Sequence, residues 1–576
     1  MPDKAQKIDP GSFKGLGIQD LPSLYDYAID THGSSTIMRK HHPWGYQSIT
    51  YREFGKLISL AGAGLIDSGL EKGDRVILIA ENSPEWLIVF AAVTACGGVA
   101  VPLDPRMREN EIRHLMIHSG ASFVITSPGL FGEELEETNL GGVKLIVIGE
   151  QDKEIEATTL GGIMARGKEK IAGGDSSFFK RKSGVSPEDI AAICYTSGTT
   201  GRPRGAVLLH RNLISDVESV HSRLDVYADD VFLCILPLYH TFALTTIFLA
   251  PLLRGSTIAF ARAIKPRIIL EDVQREKVTL LVGVPLIFEH LAGLIRKSAG
   301  PAPEKRGLLS RLTAGIRRLF RFGRRAAPGG PAAVPDLRFC ISGAARLRPD
   351  VEETLLGAGF KVLQGYGLTE ASPVVSVNPF DKPRRGTVGP PLPGVEVRID
   401  NPGEGGVGEI LVRGGNVMKE YYGDPDATGS VLKDGFLHTG DLGAMDGDGF
   451  ITIHGRKKSL IVTAGGKNVH PEEIEDILNS SGMILESIVL EVEDRKGNIR
   501  PGAIIVPDYD ALIDPGKAGG RISEEKIRSM ISEEIRRLTG DLPDYKHIYE
   551  FRIRDTELPR TPTNKLKRHL VKWIED

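Results

Sequence analysis

A ten-residue loop, Thr196–Gly205, carries a dense set of groups suited to phosphate. Thr196, Ser197, Thr199 and Thr200 supply hydroxyls, and Arg202 and Arg204 supply positive charge. Gly198, Gly201 and Gly205 let the backbone turn tightly and approach a ligand closely. An apolar run, Ile190–Tyr195, leads in, and another, Ala206–Leu209, leads out. Such a constellation is an anion cradle between two strands. It is not a Walker loop, because no Lys-Ser/Thr follows the last glycine. A flexible polar turn is the bland alternative, and four hydroxyls, three glycines and two arginines in ten residues argue against it.

Other segments hold chemistry that is weaker when read alone. In GYGLTE, Tyr366 stands between Gly365 and Gly367, so its ring can be laid against a flat base. Glu370 offers one carboxylate, which fits the one or two that Mg²⁺ on a nucleotide triphosphate takes from protein. Without its companions, this segment would read as a helix-capping turn. Asp441, in HTGDLG, is an acceptor-only carboxylate, and by itself a turn aspartate is the simpler reading. His240 lies within an apolar run, where a lone histidine is most often a satisfied core residue. Lys565 sits in a basic segment near the C-terminus and would not be singled out by itself.

Taken together these segments resemble the AMP-forming acyl-CoA synthetase (adenylate-forming ligase) superfamily. The Thr196–Gly205 loop looks like its signature. LPLYHTFAL (Leu236–Leu244), ISGAARL (Ile341–Leu347), GYGLTEAS (Gly365–Ser372), HTGDLG (His438–Gly443), GRKKSLIVTAGGKNVHPEEIE (Gly455–Glu475) and PRTPTNKLKR (Pro559–Arg568) follow in the family's order. The resemblance covers nearly the whole chain, and the Thr-Pro-Thr-x-Lys form is closest to the long-chain fatty acid–CoA ligase branch. Two departures stand out. Arg204 occupies the place of the family's usual lysine, and Asn564 the place of a glycine. Arg keeps the charge but is planar and bidentate.

The resemblance implies ATP, Mg²⁺ and CoA as cofactors, and a fatty acid or other small carboxylic acid as substrate. It assigns the triphosphate grip to Thr196, Ser197, Gly198, Thr199, Thr200, Gly201 and Arg204, and magnesium to Thr196 and Glu370. Gly343, Ala344 and Ala345 would border the adenine, with Gly365, Tyr366 and Gly367 providing the stacking platform. Thr369 would bond the α-phosphate, and Asp441 with Arg456 would hold the ribose. His240 would border the substrate carboxylate. The acid is already ionised near neutral pH, so gate or contact suits His240 better than general base. Lys565 would bridge acid and α-phosphate while pyrophosphate leaves. Lys458 would be the hinge about which the small domain turns, bringing Gly466 to the pantetheine tunnel for thiol attack. Two rivals are a ligase loading an acyl carrier protein and a membrane-associated nucleotide-binding scaffold or sensor.

The elements that must position these residues read as an α/β fold. Residues 49–70 have helical spacing, with Leu57, Leu60, Ala61 and Leu65 on one face. DRVILIA, a helix opened by Pro84, and VAVPLDP continue a βαβ rhythm, which predicts mostly parallel sheets with flanking helices. After about Arg456 the pattern becomes that of a small α+β domain. The expected division is a large N-terminal domain, 1–457, and a mobile C-terminal domain, 458–576. Gly62 and Gly64 form a GxG inside the helical pattern and read as helix packing, not nucleotide binding.

Composition narrows the class. The chain has 576 residues, 41% hydrophobic and 26% charged, with a formal net charge of -3. That balance suits a globular protein of more than one domain and gives no global field for nucleic acid. The first residues lack the apolar core of a signal peptide. Cys96, Cys194, Cys234 and Cys340 lie in apolar runs without metal-ligand spacing, which predicts buried free thiols and a cytoplasmic protein. A monomer or homodimer is expected. Val231–Leu253 is apolar but broken by Pro237, His240 and Pro251, so it reads as core near a site. Residues 299–334 form a basic amphipathic pattern. Two readings stand for them: peripheral contact with the inner face of the membrane, or a solvated insertion helix packed on its own domain.

Overall fold

Residues 12–42, 45–130, 142–148, 158–196, 203–299, 336–463, 467–512, 523–560 and 566–573 are described by the computed structural model. The basic 299–334 segment, the loop centre Ser197–Arg202, Gly466 and Lys565 thus fall outside the described residues, apart from Ala299 at a helix end. The chain divides into two compact units. Described residues of the first lie within 12–397 and 412–437, and those of the second within 398–411 and 438–573.

Two eight-stranded sheets, parallel in their interiors, form the frame of the first unit. One runs in the order Val374–Val377, Val362–Gly367, Phe339–Ser342, Leu280–Gly283, Val231–Cys234, Thr257–Phe260, Thr36–His42, Gly45–Thr50. Its six inner strands are parallel, and each outermost strand is antiparallel to its neighbour. The other runs Glu420–Tyr421, Arg204–Leu209, Ile190–Thr196, Val99–Pro102, Arg75–Ile79, Phe123–Thr126, Lys144–Val147, Thr158–Thr159. Strands buried on both faces become continuous apolar runs, as in RVILI and FVIT. The expected α/β class, with mostly parallel sheets, is the observed one.

Local signals fix the helices between strands. Thr50 caps Tyr51–Asp67 through a reciprocal capping box with Glu53. Pro84 opens Pro84–Ala95 as a first-turn residue. The GxG does serve packing. A methyl group on Gly64 would lie 2.0 Å from the Ile163 carbonyl oxygen, and one on Gly167 1.9 Å from that of Leu60. These glycines let helices Tyr51–Asp67 and Leu160–Ala172 touch backbone to backbone. All four cysteines are free and buried. Val231–Leu253 resolves into the strand Val231–Cys234, short helical turns and a π-helix, Leu244–Leu249. Among the described residues no helix is long and apolar enough to cross a membrane.

The second unit contains a three-stranded sheet. Ile484–Glu493 pairs antiparallel with Ile499–Pro507, which pairs parallel with Glu550–Ile553. Helices Pro471–Leu478 and Glu524–Thr539 supply Ile474, Leu478, Ile527, Ile531 and Ile535 to the core against it. Glu475 projects into this region. It accepts the Val489 N–H at 2.6 Å and pairs with Arg568, while Glu472 lies 3.6 Å from the same guanidinium. Burial pushes its carboxyl from 4.5 up to about 7, against the pull of Arg568. The folded state therefore holds this proton more tightly than the unfolded chain. The stability it contributes is complete below pH 4.5 and is lost as pH rises through 7. Urea unfolding of this unit is expected to weaken between those limits by on the order of 3 kcal/mol from this group. Glu475→Gln should flatten that slope, and an unchanged slope would contradict the assignment.

Candidate functional site

Parallel strands deliver their carboxyl ends to one edge of a sheet, and ligands of open α/β sheets bind beyond that edge. Four adjacent strands of the first sheet do so here: Val231–Cys234, Leu280–Gly283, Phe339–Ser342 and Val362–Gly367. The segments that follow them carry His240, Val284–Pro285, Gly343–Ala345 and Thr369–Glu370. Motifs scattered over more than a hundred residues of sequence thereby share one edge.

Side chains interlock there. Thr369 Oγ1 lies 3.4 Å from Thr241 Oγ1, one residue beyond His240. His240 stands immediately before the turn Thr241–Ala243, and its ring centre lies 4.4 Å from that of Tyr239, whose hydroxyl accepts a bond from Arg106 at 2.9 Å. Phe242 lies over Gly343, where a methyl group would come within 2.7 Å of the ring. Ala344 adopts φ +72° and Ser372 φ +69°, both left-handed and both non-glycine. Each such residue costs about 1–3 kcal/mol, held in place by the surrounding structure. Tyr366 is half-buried at the end of its strand, paired with Ser376.

The segment holding Glu370 is tied from several directions. Met418 N–H donates to the Glu370 carbonyl at 2.8 Å. Asn416 Nδ2 donates to the carbonyls of Ala371 and Val374, each at 3.0 Å, and Thr245 Oγ1 to that of Ser372 at 2.7 Å. Asp216, wholly buried, accepts the Val374 N–H at 3.2 Å, and burial raises its carboxyl well above the usual range. Glu370 itself accepts a 2.7 Å bond from the Tyr421 hydroxyl.

At the other sheet, the described ends of the candidate phosphate loop are in register, with Thr196 opposite Arg204 and Tyr195 opposite Gly205. Thr196 Oγ1 lies 3.4 Å from the Arg204 carbonyl oxygen. Tyr421 pairs with Ala206, two residues from Arg204, so Arg204 and Tyr421 are diagonal neighbours on one face. The Arg204 guanidinium sits 5.5 Å from the Tyr421 ring centre, and its Nε 3.8 Å from Asp424.

The second unit carries the remaining described residues. Asp441 on Phe436–Met445 stands opposite Arg456 on Ile451–Arg456, and Arg456 Nε bonds Asp441 Oδ1 at 2.9 Å. Glu409 accepts the Gly440 N–H at 3.0 Å and the Lys457 ammonium at 2.8 Å. It so ties the turn before Asp441 to the residue between Arg456 and Lys458.

Sequence reasoning missed Tyr421, Asn416, Asp216, Thr245 and Glu409. The first four act from segments distant in sequence, and nothing in their local spacing marks them. Glu370, Thr196 and Thr369 offer only hard oxygens, which suits Mg²⁺. Among the described residues no cluster of three or more His, Cys, Asp and Glu side chains offers a competing metal site.

The AMP-binding enzyme family profile matches residues 29–422. The chain is similar to a feruloyl-CoA synthase from Amycolatopsis sp, 31% identical over 479 residues, covering 82% of this chain and 86% of that one. It is similar to long-chain-fatty-acid–CoA ligase FadD15 of Mycobacterium tuberculosis, 30% identical over 572 residues, covering 91% and 90%. ATP-bound MatB from Rhodopseudomonas palustris shares the fold with a TM-score of 0.72 and 28% identity, over 96% of this chain and 98% of that one. The chain belongs to the AMP-binding enzyme family. It is a ligase of the acyl-CoA synthetase type, a group that works with ATP, Mg²⁺ and CoA.

Proposed function

We propose that this ATP-dependent acyl-CoA ligase activates a medium- or long-chain fatty acid as its acyl-adenylate, releases pyrophosphate, and passes the acyl group to CoA. The observation that carries the reading is the shared strand edge bearing His240, Gly343–Ala345 and Thr369–Glu370, with Glu370 fixed by Tyr421. The fatty acid is supported by the similarity to FadD15 across 91% of the chain and by the Thr-Pro-Thr-x-Lys segment.

Glu370 and Thr196 would hold Mg²⁺, which when bound neutralises phosphate charge. Arg204 and the hydroxyls of the loop grip the triphosphate, Thr369 the α-phosphate, and Tyr366 the base. Asp441 and Arg456 receive the ribose. The ionised acid attacks the α-phosphorus, and Lys565 answers the charge that develops there. The mobile domain of the proposal begins at the hinge Lys458 and carries Gly466 to the thiol step. Contact of 299–334 with an anionic membrane belongs to the same proposal.

The similarity to a feruloyl-CoA synthase favours a second reading, an aromatic acid. Pyrophosphate release across saturated acids of graded length and hydroxycinnamic acids, with CoA, with acyl carrier protein and with neither, separates the readings. The expected result is a maximum at a medium or long alkyl chain and thioester product only with CoA. A preference for hydroxycinnamic acids, or a flat response to every acid, would overturn the fatty-acid assignment.

A further inference from the structure

Glu370 approaches the nucleotide side of the fold on a short turn, and a lone carboxylate on a turn has rotational freedom to lose when it takes a metal. Here that freedom is removed by a residue from elsewhere in the chain. Tyr421 is buried at 7% exposure, and its hydroxyl donates to Glu370 Oε1 at 2.7 Å. Its own backbone is locked. Tyr421 pairs with Ala206 across the sheet, and its N–H donates to Thr428 Oγ1 at 2.9 Å. Thr428 belongs to the helix Pro425–Val431, capped by Asp424 through a 2.9 Å bond from the Ala427 N–H. The carboxylate of Asp424 also faces Arg204.

We propose that Tyr421 is a positioning residue for the divalent cation: its hydroxyl pins one oxygen of Glu370, leaving the other to the metal, while its ring seats the guanidinium of Arg204. This inference rests on the reading of Glu370 as the magnesium carboxylate. A phenol keeps its proton throughout the neutral region, so this hydroxyl is a donor to the carboxylate. The planar guanidinium at 204 has a physical reason in the same arrangement. A flat cation lies on an aromatic ring and still offers donors at its rim, which an ammonium does less well. One side chain thus couples the described end of the phosphate loop to the metal carboxylate.

Outer partners of metal ligands are worth about 10–100-fold in metal affinity. Tyr421→Phe keeps the ring and removes only the hydroxyl. The test titrates MgCl₂ at fixed ATP and fatty acid and follows pyrophosphate release, with Mn²⁺ binding to the enzyme–ATP complex read by electron paramagnetic resonance. For Tyr421→Phe the half-maximal Mg²⁺ concentration is expected to rise about 10–100-fold. At saturating Mg²⁺ the rate should return to within a few fold of the parent. Tyr421→Leu removes the ring as well and should raise the KM for ATP in addition. A parental Mg²⁺ dependence in Tyr421→Phe, or a loss that Mg²⁺ cannot restore, overturns the positioning role. Glu370→Gln separates the two levels. If it abolishes the Mg²⁺-dependent rate while Tyr421→Phe is unaffected, the site reading stands and this inference falls. If Glu370→Gln keeps the parental Mg²⁺ dependence, the reading of Glu370 falls and this inference with it.

Discussion

Lys565→Ala is expected to slow acyl-adenylate formation on the order of 10²–10³-fold, while thioester formation from supplied acyl-adenylate and CoA stays within a few fold of the parent. That range is what one preorganised donor at a developing charge contributes. The asymmetry follows from which half-reaction finds the lysine in place. In the first half-reaction negative charge grows on the α-phosphate and on departing pyrophosphate, and an ammonium stabilises it. In the second, a thiolate attacks the acyl carbon and the electron pair of the broken acyl–oxygen bond leaves on the AMP phosphate; the proposed turn about Lys458 has by then carried Lys565 away, so its loss is not felt. Lys565 has near neighbours that frame the test. Arg560 and Leu566 form an isolated bridge, Arg560 pairs with Glu486, and Arg568 pairs with Glu475. The described residues on both sides of the lysine are therefore pinned by buried carboxylates. Lys567→Ala is the control for register, and it should leave both half-reactions within a few fold. Pyrophosphate release measures the first half-reaction, and AMP release from synthetic acyl-adenylate the second. Equal loss in both, or transfer of the effect to Lys567→Ala, would remove Lys565 from this role.

Gly367→Ala should lower the adenylation rate by about 10²-fold or more in a protein that still folds. A methyl group there would stand 2.1 Å from the Pro373 carbonyl oxygen, 2.9 Å from its carbon and 3.2 Å from Val374 Cα. Those are backbone atoms, and the same oxygen accepts the Leu368 N–H at 3.0 Å, so no side-chain rotation can yield space. The turn must open, and it carries Thr369 and Glu370. Overpacking of this kind costs about 1–3 kcal/mol in stability. Displacement of catalytic groups by ~1 Å is enough for the stated loss in rate. Gly365→Ala is the contrast. Its added methyl group would lie 3.2 Å from the Ser376 carbonyl oxygen, a tight contact that a small shift relieves. A loss within a few fold is expected there. Circular dichroism and pyrophosphate release on both variants check the pair, and an active Gly367→Ala would show that the turn can open without moving Glu370.

Much of the architecture was written locally. Capping at Thr50 and Ser83, the proline at position 84, and apolar runs such as RVILI define helices and strands through interactions within a few residues. The GxG at Gly62 and Gly64 was likewise readable as helix packing, because it lay inside a 3.6-residue apolar period with no strand before it. The candidate phosphate loop stands out for a related reason. Glycines, hydroxyls and arginines concentrated between two β-rich runs announce an anion without help from the rest of the chain.

Arg204 was different. From sequence it was a departure from the expected lysine, with no visible compensation. The sheet supplies one by laying Tyr421 beside it, from a segment more than two hundred residues later. Asn416, Asp216 and Thr245 were hidden in the same way. Each is an ordinary polar residue in its own segment, and each acquires meaning only by bonding the backbone around Glu370. Sequence by itself determined which elements form and which residues are candidates for chemistry, because those depend on short-range periodicity and on side-chain type. Only the tertiary structure decided which groups hold that chemistry in place, because strand order and sheet register bring together residues whose separation along the chain bears no relation to their separation in space.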